Sequence, residues 1–175
     1  MENTLLIGGS GGQGVMLLGT LLAISAIKEN KYSSCLPAYG PEMRGGTANC
    51  TVVISDKEVI TPLPDSIDCM IMLNEPSYWK FKDFVKKGGL IILNSSLISE
   101  TAELKSVEQV KIPLNDIALE LGNIKSANMV ALGNYLQQAK TVKYKSVKQI
   151  MSDHFKSKPK VVDINCKALL EGMKF

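Results

Sequence analysis

Gly9-Ser10-Gly11-Gly12-Gln13-Gly14 follows the apolar run Thr4-Leu5-Leu6-Ile7-Gly8 and precedes a long apolar segment that begins at Val15. Glycines 9, 11 and 14 fit the pattern Gly-x-Gly-x-x-Gly between a strand and a helix. Such residues let backbone amides approach a phosphate at a helix N-terminus, where the helix dipole also favours an anion. A dinucleotide site would add an Asp or Glu at the end of the second strand, roughly 20 residues on. Residues 32–36, the expected second strand, end without one. No Lys-Ser or Lys-Thr pair follows the loop, so it is not a Walker A loop. Binding of another phosphate-bearing or polar ligand and a turn made only for tight packing both remain open.

A second loop carries Leu36-Pro37-Ala38-Tyr39-Gly40-Pro41-Glu42-Met43-Arg44-Gly45-Gly46-Thr47. Arg44 is the only arginine of the chain; the other basic residues are lysines. Its guanidinium offers a planar fork that suits a carboxylate or phosphate, which a lysine ammonium does not. It can contact a ligand or a partner subunit, brace its own loop through Glu42, or simply face solvent.

Other chemistry is harder to find. Cys35, Cys50, Cys69 and Cys166 include no Cys-x-x-Cys spacing, and His154 is the single histidine. These read as reduced thiols of an intracellular protein rather than zinc or iron–sulfur ligands. Lys140, Lys143, Lys145, Lys148, Lys156, Lys158 and Lys160 have little aromatic interleaving and read as a solvated face, not a nucleic-acid stripe. No Ser-His-Asp set and no catalytic carboxylate pair stands out.

The elements that must position these loops follow from hydrophobic patterning. Residues 4–8, 32–36, 51–54, 69–73, 90–93 and 110–113 read as strands, most of them continuously apolar. Ser55-Asp56-Lys57 resembles a turn into Glu58-Val59-Ile60, which would make a hairpin and an antiparallel edge. Helices are expected over 15–28, from Pro76 through Trp79, Phe81, Phe84 and Val85 to a stop at Gly88-Gly89, and over 115–121, 127–139, 146–155 and 163–173. The first helix is apolar on every face, so it should be covered on both sides, the second cover being another subunit. Alternating strands and helices with apolar strands give the expected fold: an α/β, single three-layer domain over residues 1–175, with a mostly parallel sheet, an antiparallel edge and helices on both faces.

Composition agrees. At 175 residues, with 45% hydrophobic and 21% charged, the chain can bury a core without disulfides or metal. A net charge of +3 does not call for nucleic acid or an anionic membrane. The N-terminus lacks a basic signal region, and the longest apolar stretch falls short of the about 20 residues of a membrane span. A cytoplasmic protein is expected.

Four stretches, taken in order, resemble the gamma subunit of 2-oxoacid:ferredoxin oxidoreductases. They are Ile7-Gly8-Gly9-Ser10-Gly11-Gly12-Gln13-Gly14-Val15, then Tyr39-Gly40-Pro41-Glu42-Met43-Arg44-Gly45-Gly46-Thr47-Ala48-Asn49-Cys50, then Val53-Ile54-Ser55-Asp56, and Leu119-Glu120-Leu121-Gly122-Asn123 with Ala127-Asn128-Met129-Val130-Ala131-Leu132-Gly133. The Glu-Met-Arg-Gly-Gly-Thr-Ala-Asn-Cys run is most similar to subunits acting on 2-oxoglutarate or branched-chain 2-oxoacids. The resemblance implies a reaction in which a 2-oxoacid, coenzyme A and oxidised ferredoxin give acyl-CoA, carbon dioxide and reduced ferredoxin. It implies that thiamine diphosphate and iron–sulfur clusters are bound by partner subunits, one of them ferredoxin-like, and that this chain alone binds no cofactor and is inactive. Gly9, Gly11, Gly12, Gln13 and Gly14, with Tyr39, Glu42 and Arg44 facing them, are then expected at an interface or at coenzyme A, with no catalytic residue. In isolation the chain would hide its apolar surface by self-association. A stand-alone nucleotide- or metabolite-binding module on the same fold is the competing expectation.

Overall fold

The computed structural model describes residues 2–39 and 47–175, with only the backbone of Tyr39. Its strands are β1 (Glu2–Ser10), β2 (Tyr32–Tyr39), β3 (Thr47–Ser55), β4 (Ile67–Met72), β5 (Val85–Asn94) and β6 (Glu108–Ile112). The helices are α1 (Val15–Lys28), α2 (Glu75–Phe81), α3 (Leu114–Glu120), α4 (Ala127–Ala139), α5 (Tyr144–His154) and α6 (Pro159–Gly172). The strands form one sheet in the order β2-β3-β1-β4-β5-β6. The run β1-β4-β5-β6 is parallel, and β3 is antiparallel to both β1 and β2.

The apolar strands are buried on both faces, as parallel sheets require. Leu5 and Ile7 of β1, Val52 and Ile54 of β3, Ile71 of β4 and Ile92 of β5 point into a core shared with α1, α4, α5 and α6. Leu6, Met70, Met72, Ile91 and Leu93 point the other way, onto Tyr78 of the short α2. The three layers are therefore unequal, with most helices on one face.

Several boundaries differ from the sequence expectation. Residues 58–60 form no strand, and Ile60 is 97% exposed. The antiparallel pairing comes instead from β3, which returns along β2 and inserts beside β1. Thr47 to Ser55 can bury alternate residues on a core, whereas the segment after Ser55 has charges and two prolines and no face to bury.

The helix after Pro76 ends at Phe81, passes through one 3-10 turn at Lys82–Phe84 and becomes β5 at Val85. Gly88 and Gly89 do not cap that helix; they lie inside the strand. The pairing of β4 with β5 shifts register between Ile67 and Cys69, so the glycines form a bulge. Gly88 has φ +76 and its N–H donates to Ser106 O at 2.6 Å; a Cβ on Gly89 would come within 2.9 Å of Asp68 O. α6 begins earlier than expected, because Pro159 fits a first helical turn. The extent of α4 agrees with the expectation.

α1 is not covered all round. Val15, Leu18, Leu21, Leu22 and Ala26 are buried against the sheet, while Ile24 and Ile27 are exposed. Among the described residues no helix is long and apolar enough to cross a membrane.

Candidate functional site

β1 carries its pairing through Gly9 and Ser10, so only residues 11–14 form the turn into α1. Ser10 is paired with Thr47, and Tyr39 with Ala48. The turn and the segment 40–46 therefore leave from the same end of the sheet. Glu42 and Arg44 lie outside the described residues, as does the side chain of Tyr39.

The turn is built to be close to its neighbours. Gly14 caps α1 with φ 75, and a Cβ there would come within 2.2 Å of Asn128 Nδ2. That amide instead donates to Gly14 O at 3.2 Å. Gly12 also has positive φ, but a Cβ there would meet nothing within 4 Å, so it borders open space. Gly9 is packed against Gln13 and Val15. Gly11 is exposed.

Gln13 is a tie rather than a free ligand arm. Its Oε1 accepts from Ser10 N–H at 2.7 Å and from Asn74 Nδ2 at 3.3 Å, and its Nε2 donates to Leu73 O at 3.2 Å. Asn74 also donates to Ser10 Oγ at 2.6 Å and accepts from Ser77 N–H at 3.0 Å, capping α2. One amide network thus joins the ends of β1 and β4 to the start of α2.

The network continues to Asn94 at the end of β5. Its Nδ2 donates to Leu73 O at 3.0 Å and to Asn115 Oδ1 at 3.1 Å. Both partners are acceptors, so the amide cannot be turned over without setting oxygen against oxygen. Among the described residues Asn94 Oδ1 is left buried with no hydrogen-bond partner. Such a group costs free energy unless a donor arrives.

These residues surround a cleft of about 190 Å³ lined by Gly12, Gln13, Leu73, Asn94, Asn115, Ile124, Lys125, Ala127 and Asn128. The first turn of α4 enters it, and no side chain caps that helix. The Ala127 N–H is already taken by Ile124 O, so the cation of Lys125 beside it is what favours an anion or carbonyl there. The cleft sits by the carboxyl ends of β1 and β4, where one crossover leads to β2 and the other to β5. That is the switch point at which open α/β sheets hold ligands.

The profile of the family described as pyruvate ferredoxin/flavodoxin oxidoreductase matches residues 4–175. The chain belongs to this family. It is 38% identical over 167 residues to the ketoisovalerate oxidoreductase subunit VorA of Methanothermobacter thermautotrophicus, covering 95% of this chain and 35% of that protein. It spans about a third of the length of this relative and of the VorA of Methanothermobacter marburgensis. The 2-oxoglutarate synthase subunit KorC of Methanocaldococcus jannaschii is 33% identical, with 87% of this chain and 83% of KorC covered. The crystal structure of a keto/oxoacid ferredoxin oxidoreductase gamma subunit from Geobacter sulfurreducens superposes with a TM-score of 0.83 at 25% identity, covering 98% and 96% of the two chains.

For a member of the pyruvate ferredoxin/flavodoxin oxidoreductase family, the donor set is spare. Among the described residues no group of three or more His, Cys, Asp or Glu side chains could hold a metal ion. The cysteines are free: Cys35 and Cys50 are neighbours, and Cys69 is fully buried with its thiol pushed up by that burial. The described residues thus do not fit an iron–sulfur cluster. His154 is exposed at the end of α5, and the seven lysines of 140–160 are exposed too.

Asn94 and Asn115 were missed by motif reasoning, yet they carried a signal. Leu73-Asn74, Leu93-Asn94 and Leu114-Asn115 repeat the same pair at or just past the carboxyl ends of β4, β5 and β6. Three successive parallel strands thereby deliver amides to one edge.

Proposed function

We propose that the chain is the gamma-type, non-catalytic part of a cytoplasmic 2-oxoacid:ferredoxin oxidoreductase acting on 2-oxoglutarate or a branched-chain 2-oxoacid. In this reading it packs on thiamine diphosphate-binding and ferredoxin-like subunits, which hold the thiamine diphosphate and the iron–sulfur clusters. It contributes to the site where coenzyme A enters. The observation that carries the reading is the family match across nearly the whole chain. Relatives named for ketoisovalerate and for 2-oxoglutarate leave both substrate branches in it.

The cleft has the chemistry for part of coenzyme A. That substrate offers phosphates and amide N–H groups. Lys125 suits a phosphate, and Asn94 Oδ1 suits an N–H donor. At about 190 Å³ the cleft is smaller than the 300 Å³ or more typical of a whole drug-sized ligand. The rest of the molecule then lies toward residues 40–46 and the partner subunits, with Tyr39, Glu42 and Arg44 beside it. The chain's own part is to bind and orient; carbon–carbon cleavage and electron transfer belong to the partners.

Arg44→Lys in the reconstituted complex tests this. The charge stays and the bidentate fork is lost. The complex is expected to assemble normally, with KM for coenzyme A raised roughly ten- to a hundredfold, the usual worth of a charge-assisted hydrogen bond. KM for the 2-oxoacid should change far less. Normal coenzyme A kinetics in fully assembled mutant would remove the ligand role. Poor assembly with normal kinetics in the remaining complex would make Arg44 a brace.

A further inference from the structure

Cys35 on β2 and Cys50 on β3 place their side chains on the α1 side of the sheet. Cys35 pairs with Val52 and Cys50 with Pro37, so the cysteines are diagonal neighbours across antiparallel strands. Their sulfurs are 3.3 Å apart. Gly19, in the middle of α1, makes the room: a Cβ there would lie 2.6 Å from Cys50 Sγ and 3.3 Å from Cys35 Sγ. A glycine inside a helix is unfavourable by itself, and here its space is filled by two thiols.

The two cysteines are unequal. Cys50 is fully buried. Cys35 lines an open groove of about 410 Å³ whose other walls include Met16, Thr20, Ile24 and Ser33, with no charged side chain. The hydrogen bond from Cys50 lowers the Cys35 thiol to about 7, against the effect of its partial burial and with help from Thr20. The same bond and burial push Cys50 up. A reachable thiolate with a sheltered thiol at contact distance matches an attacking and a resolving cysteine.

We propose that Cys35 and Cys50 are a redox-responsive dithiol that closes to a reversible intrachain disulfide when it meets a peroxide. Cys35 thiolate attacks one oxygen of hydrogen peroxide; the O–O bond breaks, and the departing hydroxide takes up a proton as water. Cys35 is then a sulfenic acid. Cys50 sulfur attacks Cys35 sulfur; the S–S bond forms, the S–O bond breaks, and the hydroxyl leaves as a second water with the Cys50 proton. Two thiols are oxidised and one peroxide is reduced. The sulfurs need to close from 3.3 Å to about 2.0 Å. The bond staples the two strands that lead into and out of residues 40–46. This inference concerns the chain free of partner subunits, because the assembly reading covers the groove wall at Ile24 and Ile27; it is independent of the coenzyme A reading.

The test treats the reduced chain with hydrogen peroxide, then maps free thiols by alkylation under denaturing conditions. Cys35 and Cys50 should lose labelling together and appear as one cross-linked peptide, with the intact mass lower by two hydrogens. Cys69 and Cys166 should stay labelled, and dithiothreitol should restore the starting pattern. Cys50→Ala should accumulate Cys35 sulfenic acid that dimedone traps, whereas Cys35→Ala should leave Cys50 reduced. Retained labelling of both cysteines in the wild type would overturn the proposal. So would loss of Cys35 labelling without the link, or links formed only between molecules; these wild-type readings need no variant to fold.

Discussion

Asn94 holds two acceptors with one NH₂ group and leaves its oxygen without a donor. Asn94→Ala should therefore lower stability by about 0.5–1.5 kcal/mol, because Leu73 O loses one of its two donors and keeps Gln13 Nε2. Urea unfolding measures this, and a midpoint equal to wild type would mean water replaces the amide without loss. Gly14→Ala is expected to cost more than Gly12→Ala. Both force a side chain into a left-handed backbone, worth about 1–2 kcal/mol, but only residue 14 also collides with Asn128. Equal melting temperatures for the two variants would contradict the close approach. Cys35 gives a kinetic prediction: its iodoacetamide reaction should rise with pH through a midpoint near 7, because the thiolate is the nucleophile. The other titratable group facing it among the described residues is Cys50, whose raised value keeps it protonated over that range. At this scale the sequence was half legible. Glycines announce themselves because few other residues can do their work. Asn74 caps α2, but the same amide also bonds Ser10 and Gln13, and no linear pattern shows a bond across 64 residues.

Elements were legible where periodicity and end signals agreed. α1 and α4 have the expected extents. The strand over residues 85–89 was hidden, because Gly-Gly after an aromatic helical pattern is also what a helix end looks like. The supposed hairpin after Ser55 failed for a related reason: a turn signal does not say whether the next segment has anything to pack on. The pairing of α4 with α6 depends on Gly133 and Gly172, whose packing role no linear pattern showed. A Cβ on Gly133 would come within 2.0 Å of Leu169 O, and one on Gly172 within 1.9 Å of Val130 O. Gly133→Ala and Gly172→Ala should each destabilise by about 3 kcal/mol, the upper part of the range for forced overpacking. Loss of less than a third of that in a chemical denaturation series would mean that the helices separate easily. A pH effect belongs to the start of β1 and β4. Burial pushes the Asp68 carboxyl up, but Lys86 and both the N–H and hydroxyl of Thr4 outweigh it, leaving the group below its ordinary range. A carboxylate lowered by folding adds stability above its unfolded value of about 3.9, and loses it as pH falls through the folded value. Asp68→Asn should thus be less stable than wild type at pH 7, with the gap shrinking in strong acid. A gap independent of pH would assign the loss to shape rather than charge.

For the whole molecule, the α/β class and the mixed sheet could be read from the succession of apolar runs. The strand order could not, because continuously apolar strands carry no mark of which neighbour they take. The exposed Ile24 and Ile27 of α1 are a surface that the assembly reading assigns to partners. Coexpression with the thiamine diphosphate-binding and ferredoxin-like subunits should draw the chain into a stable hetero-oligomer, while the chain alone should reduce no viologen with 2-oxoacid, coenzyme A and thiamine diphosphate. A monodisperse monomer that those subunits ignore would sink that assembly. The sheet order also bears on how the chain is made. Of the strands of this sheet β1 is made before the others but belongs near the middle, between β3 and β4. Its run Leu5-Leu6-Ile7 meets neither neighbour until residues up to 55, and then up to 72, have emerged. At about 5–20 residues per second, the stretch from the end of β1 to the end of β4 takes roughly 3–12 s to make. Through that interval the nascent chain displays an unpaired apolar segment, and a chaperone that recognises such segments has its target there before any other strand of the sheet exists.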